Sequence, residues 1–242
     1  MNARAEDRTG PGTATPTPRP PVVLALALLM PVGPAAVGVL RYVLPYYGAT
    51  DNAEIVSAAT RHPGAESAVL WLGLVAVLTL VPGVIAAARL CRDAAPRLTG
   101  WALGLVVPGY LSLGALLYSD QVLWSATRAG TDPATTVKLL DAVHPTINIG
   151  AGVFVLGHVV GTVLLGLALL RSRRIPAWVA WVLVVSQPLH FVTTVFLGSP
   201  TIDLLAWSMT ALAMAVVASA LISESRGATM KPDRDDYPAI AL

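Results

Sequence analysis

The chain has 242 residues, of which 55% are hydrophobic and only 12% are charged, and its formal net charge is +2. A soluble domain carries about twice that share of charged residues, so this chain has too few to cover a water-exposed surface. The basic residues lie in small groups between apolar blocks, which excludes nucleic acid as an expected partner. The expected partner is the lipid bilayer.

Six apolar blocks follow one another along the chain, at 22–40, 68–88, 98–118, 149–170, 175–197 and 204–222. Each is close to the ~20 helical residues that cross a hydrocarbon core. None contains Asp, Glu, Lys or Arg, and none alternates with a period of two. The predicted fold is therefore all-α, an integral membrane bundle of six helices.

The predicted transmembrane domain covers 22–222. The flanking segments 1–21 and 223–242 are rich in Pro, Thr and charged residues and are predicted to be disordered cytoplasmic tails. The first apolar block is longer than the ~7–15 apolar residues of a signal peptide, so we expect an uncleaved first span.

Lys and Arg are distributed unequally between the two sides that six spans would create. One side holds Arg4, Arg8, Arg19, Arg89, Arg92, Arg97, Arg171, Arg173, Arg174, Arg226, Lys231 and Arg234. The other side holds Arg41, Arg61, Arg128 and Lys138. Because cytoplasmic loops carry the excess of basic residues, both termini are predicted to be cytoplasmic, with the chain in the plasma membrane.

Two long loops on the predicted outer side each contain the pattern of a short helix. The first pattern begins at Asp51 and ends before Pro63, and the second begins at Asp132 and ends near Pro145. The Asp side chains are typical N-caps, and a proline disfavours helical geometry in the residue before it. Three apolar residues of the second helix are expected to lie on the membrane surface: Val137, Leu140 and Val143.

A set of residues recurs at constant spacing, since Pro96, Trp101, Pro108 and Ser119 reappear as Pro176, Trp181, Pro188 and Ser199. The short helices recur at nearly the same spacing. This predicts a tandem repeat in which each unit has one short outer-face helix followed by two spans. The repeat would be of the parallel kind found in some transporters. Chance placement of Pro and Trp at helix ends is the alternative.

Three polar residues lie inside predicted spans, where such residues are costly and mark candidate functional sites. His158 and Gln187 lie near the middle of the fourth and fifth spans, and His190 follows Gln187 on the same helical face. Tyr110 occupies the repeat position of His190. These four residues form a candidate ligand site. Gly157 and Gly161 are spaced for close packing against another helix.

Two interpretations of these polar residues are open. They bind a ligand, proton or metal, or they only hydrogen-bond to one another between helices. Haem ligation by one histidine pair has little support, and a zinc site lacks a Cys or carboxylate at their depth. We therefore predict no metal, no cofactor and no catalytic residue.

Charged residues at the predicted outer ends of the spans form a second candidate set. Arg41 ends the first span, and Asp120 and Asp203 lie at the edges of the third and sixth. The carboxylates either gather cations or cap helices, with capping the commoner role, and Arg41 either pairs with one of them or reaches the surface. Four tryptophans are predicted to be interfacial anchors: Trp101, Trp178, Trp181 and Trp207.

The segment LLGLALLRSRRIPAWVAWVLVVSQPLHFV, at 164–192, resembles uncharacterised multi-pass membrane proteins of high-GC bacteria. The resemblance implies a membrane fold and carries no activity. We expect a membrane protein of unknown function that binds a small or lipid-like ligand, or a partner, in the outer half of the bundle. The alternatives are a membrane-embedded enzyme acting on a lipid or isoprenoid and a small-solute transporter.

Overall fold

The computed structural model describes residues 20–229, and the side chains of 21–226. These residues form helices with no strand. The helices are α1 (Pro20–Val43), α2 (Asn52–Arg61), α3 (Pro63–Ala88), α4 (Pro96–Leu111), α5 (Leu113–Ala129), α6 (Pro133–Asp141), α7 (Thr146–Ser172), α8 (Ala177–Val192) and α9 (Pro200–Thr229), with a π-helical turn, Thr193–Leu197, after α8. Six of the helical stretches are long and apolar enough to cross a membrane. The predicted all-α, six-span fold is confirmed.

The six spans form a closed ring in chain order. Helix α1 packs against α3, α3 against α4, α4 against α7, α7 against α8 and α8 against α9. Helix α9 packs against α1, which closes the ring. The short helices α2 and α6 lie together at one end, which we call the α2/α6 end. The other end carries Arg89, Arg92, Arg173 and Arg174 in its turns, and we call it the arginine end.

The short helices begin as the sequence predicts. The Asp51 carboxylate accepts a hydrogen bond from the Glu54 backbone N–H at 2.8 Å, and Asp132 accepts from Ala134 and Thr135. The Thr135 hydroxyl and backbone bonds lower the pKa of the Asp132 carboxyl, because they stabilise its charged form.

The prediction that α6 lies on the membrane surface is wrong for Leu140. Leu140 is buried with Val56, Ala59 and Leu123 in a small apolar cluster between α2, α5 and α6, and Val137 packs against that cluster. The three helices bury apolar side chains against one another, which removes the need for lipid there.

The third span is longer than predicted and has a break. The predicted end was residue 118, but α5 continues to Ala129, where Gly130 adopts a left-handed conformation at φ 68° and ends the helix. The break between α4 and α5 lies at Ser112, whose hydroxyl donates to the Pro108 carbonyl at 2.8 Å, a contact that often bends helices. Asp120 therefore lies inside a helix and not at its start.

The last helix also extends past the predicted boundary at residue 222. It runs to Thr229, and near its end Glu224 accepts a hydrogen bond from Arg174 at 3.1 Å. The predicted tail thus begins as helix, with a side-chain contact to the arginine end. Residues 1–19 and 230–242 of the predicted tails lie outside the described residues.

The order of short helix, long span, arginine-containing turn and span occurs twice, as α2–α3–α4 and as α6–α7–α8. The two units are neighbours in the ring through the contact of α4 with α7, and α9 and α1 complete the circle. This order agrees with the predicted tandem arrangement, while duplication as its origin stays a prediction.

Candidate functional site

Close packing of α7 against α4 fixes the position of His158. A Cβ added to Gly157 would lie 2.6 Å from the Leu105 carbonyl oxygen and 2.7 Å from the Gly109 Cα. A Cβ on Gly161 would lie 2.6 Å from the Val106 backbone nitrogen. The predicted close packing at the two glycines is confirmed, and only glycine permits this approach of the two backbones.

Four aromatic rings surround His158, which is fully buried. Its ring centroid lies 4.3 Å from that of Phe154, 5.3 Å from His190, 5.7 Å from Trp207 and 6.4 Å from Tyr110. The structure therefore brings His158 and His190 together, which the sequence left open. Tyr110 also belongs to this group, and its hydroxyl lies 3.4 Å from that of Thr162.

The hydrogen bond of His158 determines which of its nitrogens is free. Nδ1 lies 2.5 Å from the Phe154 carbonyl oxygen, one turn earlier in α7. Because a carbonyl oxygen can only accept, we assign the proton of the neutral ring to Nδ1. Nε2 is then an acceptor, and it is buried without a hydrogen-bond partner among the described residues.

Gln187 also has a buried acceptor without a donor, and a chain of hydrogen bonds shows which side-chain atom this is. Ser186 Oγ donates to the Leu183 carbonyl, so it accepts from Thr210 Oγ1 at 2.8 Å. Thr210 in turn accepts from Gln187 Nε2 at 2.7 Å. This order fixes the amide orientation and turns Oε1 away from Thr210. Oε1 is buried and has no partner within the described part of the chain.

Asp203 links the buried histidines to the α2/α6 end. It accepts from Arg41 Nε at 2.8 Å and from the Tyr47 hydroxyl at 3.0 Å, both on Oδ2. His190 Nδ1 lies 2.5 Å from Oδ1. Of the two alternatives for Arg41, pairing with a carboxylate is the one present, and Asp203 is its partner. We call Arg41, His190 and Asp203 the charge-paired cluster.

Two sequence-based expectations about Asp203 are wrong. Its hydrogen-bond partners are side chains of α1, α8 and the segment after α1, so its carboxylate is no ordinary helix cap. A carboxylate also lies at the depth of His190, contrary to expectation. Both errors arise because α9 begins at Pro200, which places Asp203 inside the helix and the bundle.

The prediction for Trp207 is also wrong. Trp101, Trp178 and Trp181 are exposed as expected of membrane-interface residues, but Trp207 is fully buried. Its indole nitrogen lies 3.1 Å from His190 Nδ1. Space for it comes from α1, where a Cβ on Gly38 would lie 3.0 Å from the Trp207 Cβ. No local sequence pattern pairs Gly38 with Trp207, so the burial of Trp207 became visible only in the structure.

Asp120 belongs to a separate group near the α2/α6 end. It is buried in α5 and accepts a hydrogen bond from the Tyr46 hydroxyl. Glu66, in the first turn of α3, is also buried. We call Tyr46, Glu66 and Asp120 the acid cluster. Tyr46 and Glu66 had no predicted role. Asp120 was predicted either to gather cations or to cap a helix, and the capping alternative is wrong because Asp120 lies inside α5.

A small void lies at the centre of the ring, with a volume of about 10 Å³. All six spans line it, and its polar atoms come from Tyr110, Thr162 and Thr210, the residues next to His158 and Gln187. Below these residues, toward the arginine end, its lining includes the apolar Leu80, Leu165 and Met214. The polar side chains of the interior thus lie on the α2/α6 side of this void.

No group of three His, Cys, Asp or Glu side chains in the described residues is arranged to hold a metal ion. His190 and Asp203 are instead bonded to each other, Asp203 also to Arg41 and Tyr47, and His190 also to Trp207. These side chains form a buried hydrogen-bond network.

No curated protein and no solved structure matches the chain. A family model described as a domain of unknown function, DUF4386, matches residues 23–225, which include all six spans. The resemblance to an uncharacterised family is thereby confirmed, and the high-GC bacterial source stays a prediction. The chain belongs to the DUF4386 family.

Proposed function

We propose that this multi-pass membrane protein binds a small or lipid-like ligand that carries hydrogen-bond donors, in the half of the bundle nearer the α2/α6 end. The observation that carries the proposal is the pair of fully buried acceptors, His158 Nε2 and Gln187 Oε1. A buried acceptor without a donor costs about 1–3 kcal/mol. A ligand hydroxyl, amide or ammonium group would remove that cost at both atoms.

The charge-paired cluster supports entry from the α2/α6 end. The Arg41 side chain is 23% exposed, and its guanidinium lies 4.5 Å from the Tyr47 ring centroid and donates to the exposed Thr194 hydroxyl at 3.1 Å. Behind Arg41 come Asp203, His190 and then His158. A polar ligand group approaching from this end would meet a charged side chain first and the free acceptors last.

The distribution of Lys and Arg supports an orientation for the proposed site. The arginine end would face the cytoplasm together with both termini, and the chain would lie in the cell membrane. The ligand would then reach the site from outside the cell or from the outer leaflet.

The central void does not provide a path for transport. Its volume of about 10 Å³ is close to the space that one water molecule needs. A solute-sized path across the bundle would require α1, α3 and α9 to separate on the apolar side of the void. Binding at His158 and Gln187 requires no such opening toward the arginine end.

The test of the proposal is native mass spectrometry of the protein extracted gently from its own membrane. The variants His158→Phe and Gln187→Met keep the side-chain size and remove the free acceptors, and Gln121→Met on the exposed face of α5 is the matched control. We expect a bound species on the native and control proteins that both site variants lose. The native protein detected only as the bare chain, or equal retention by all four proteins, would contradict the proposal.

An enzymatic role is a second candidate, favoured by the contact of His190 with Asp203. A carboxylate at Nδ1 orients an imidazole and leaves Nε2 to act as a general acid or base. Incubation of the native protein and of His190→Gln with the total lipid extract of its source membrane tests this role. New lipid products formed by the native protein and absent with the variant would favour the enzyme, and an unchanged lipid profile would argue against it.

A further inference from the structure

Glu66 is the most isolated ionisable side chain in the described bundle. It is 1% exposed, and both carboxylate oxygens are buried without a hydrogen-bond partner in the residues described. A charged carboxylate in such surroundings loses its hydration and gains no compensating donor. The surroundings of Glu66 therefore favour its neutral form.

Asp120 faces the same region from α5, but it has a donor. The Tyr46 hydroxyl donates to Asp120 Oδ1. Tyr46 belongs to the segment after α1, outside the spans, and the pKa of its phenol is raised by burial first, and then by Asp120 and Glu66. Glu66 lies on α3 and Asp120 on α5, and these two helices pack against each other, with Gly73 of α3 against Leu117, three residues before Asp120. Both carboxylates therefore lie on the α2/α6 side of one helix–helix contact.

Few positive charges are near this acid cluster. On the α2/α6 side of the bundle, the ionisable groups of the surrounding elements are Arg41 and Tyr42 of α1, Glu54 and Arg61 of α2, His62 before α3, Tyr110 of α4, Tyr118 and Arg128 of α5, Lys138 and Asp141 of α6, His158 of α7 and Asp203 of α9. Arg61 and Arg128 are exposed. His62 and Lys138 are exposed, and Arg41 is bonded to Asp203. Two carboxylates therefore share a buried region with no cation of their own among the described residues.

We propose that Glu66 and Asp120 form a proton-binding site that holds one proton between them at neutral pH, with the proton on Glu66. The hydrogen bond from Tyr46 stabilises the charge of Asp120, and no donor stabilises a charge on Glu66. Two adjacent buried carboxylates do not both ionise readily, because their charges repel in a medium of low dielectric constant.

The site has a physical connection to the charge-paired cluster. Tyr46 bonds to Asp120, and the next residue, Tyr47, bonds to Asp203. Loss of the proton would place a second negative charge beside the Tyr46 phenol. The position of the segment that carries both tyrosines would then depend on the protonation state of Glu66. A shift of this segment would alter the bond from Tyr47 to Asp203.

Infrared spectroscopy of the full chain in lipid vesicles detects the proton directly, through the carbonyl stretching band of a protonated carboxyl group. We expect this band at pH 7 in the native protein and expect it to move when glutamate is labelled with carbon-13 at the carboxyl group. Glu66→Gln should remove the band, and Glu54→Gln, at an exposed carboxylate of α2, should leave it. Asp120→Asn should lower the pH at which the band disappears.

Labelling of the native protein gives the answer even where a variant fails to fold. A native protein without a glutamate-dependent band at neutral pH would overturn the proposal. Titration with Na⁺, Mg²⁺ and Ca²⁺ separates a proton from a metal ion. A band that one of these ions abolishes at constant pH, together with an increase in thermal stability that depends on Glu66, would identify a metal-ion site and would also overturn it.

Discussion

The charge-paired cluster and the acid cluster, both near the α2/α6 end, bury their carboxylates in different environments. Asp203 receives bonds from Arg41, Tyr47 and His190, so its charge is paired inside the bundle. Asp120 receives one bond from Tyr46, and Glu66 receives none. The first arrangement stabilises a charge, and the second favours a proton. Both clusters contain buried carboxylates, and they differ in whether a cationic side chain is bonded to the carboxylate.

The largest expected effect is the loss of the cation from the charge-paired cluster. Arg41→Met keeps much of the side-chain volume and leaves the fully buried Asp203 carboxylate without its guanidinium. Removal of one partner of a buried pair typically costs about 3–5 kcal/mol, so we expect a large decrease in the melting temperature in detergent.

The matched control for Arg41 is Arg61→Met, at an exposed residue of α2. It should change the melting temperature little, because exposed charges contribute less than about 1 kcal/mol. The double variant Arg41→Met with Asp203→Asn should recover part of the loss. Equal effects of the two arginine variants would show that the cluster does not depend on the charge of Arg41.

An intermediate effect is expected from the contact that positions His158. In Gly157→Ala, the new Cβ would meet backbone atoms of α4 at 2.6–2.7 Å, and backbone cannot move aside as a flexible side chain can. Such overpacking typically costs about 1–3 kcal/mol. The melting temperature should fall, and binding of any co-purified species should weaken.

Gly152→Ala is the control on the same helix, since a Cβ there meets no atom within 4 Å. It should be neutral or stabilising by up to about 1 kcal/mol, because alanine favours a helix over glycine. A Gly157 variant as stable as the Gly152 variant would contradict the close approach of α4 and α7.

The smallest effect concerns the acid cluster at alkaline pH. Burial and the nearby carboxylates raise the pKa of Tyr46 in the folded protein, while an unfolded tyrosine ionises near pH ~10. The folded state therefore keeps a proton that the unfolded state loses. Stability should decrease as the pH rises above about 10, and the decrease should be smaller in Tyr46→Phe.

Melting curves between about pH 8 and pH 11 test this difference, and we expect it to stay within about 1 kcal/mol for this partly exposed residue. Tyr42→Phe, at an exposed position of α1, is the control and should retain the native pH dependence. Parallel curves for the native protein and Tyr46→Phe would contradict the role given to Tyr46.

Much of the fold follows from the sequence alone. Uninterrupted apolar blocks predict the spans, and Asp51 and Asp132 predict the caps of the short helices. The sequence also places His158, Gln187 and His190 inside neighbouring spans joined by a short turn, but it left open whether His158 and His190 face each other. These features depend on local sequence and on chain order.

The polar partners were harder to predict, for a physical reason. Asp203, Asp120 and Glu66 lie outside the most apolar stretches, so the bounds of the predicted spans excluded them. The helices continue past those bounds because other segments supply donors or packing, as Arg41 does for Asp203 and Tyr46 for Asp120. Trp207 was misassigned because tryptophan prefers membrane interfaces on average, and only its contact with Gly38 and His190 explains its burial.

Nitrogen-15 NMR of histidine-labelled protein tests the proposed ligand site most directly, with His158→Gln used to assign the His158 signals. We predict that Nε2 carries no proton, accepts a hydrogen bond in the native membrane, and loses that bond when native lipids and small molecules are exchanged for detergent. A protonated Nε2, or identical Nε2 signals before and after exchange, would contradict the binding of a donor-bearing ligand at His158.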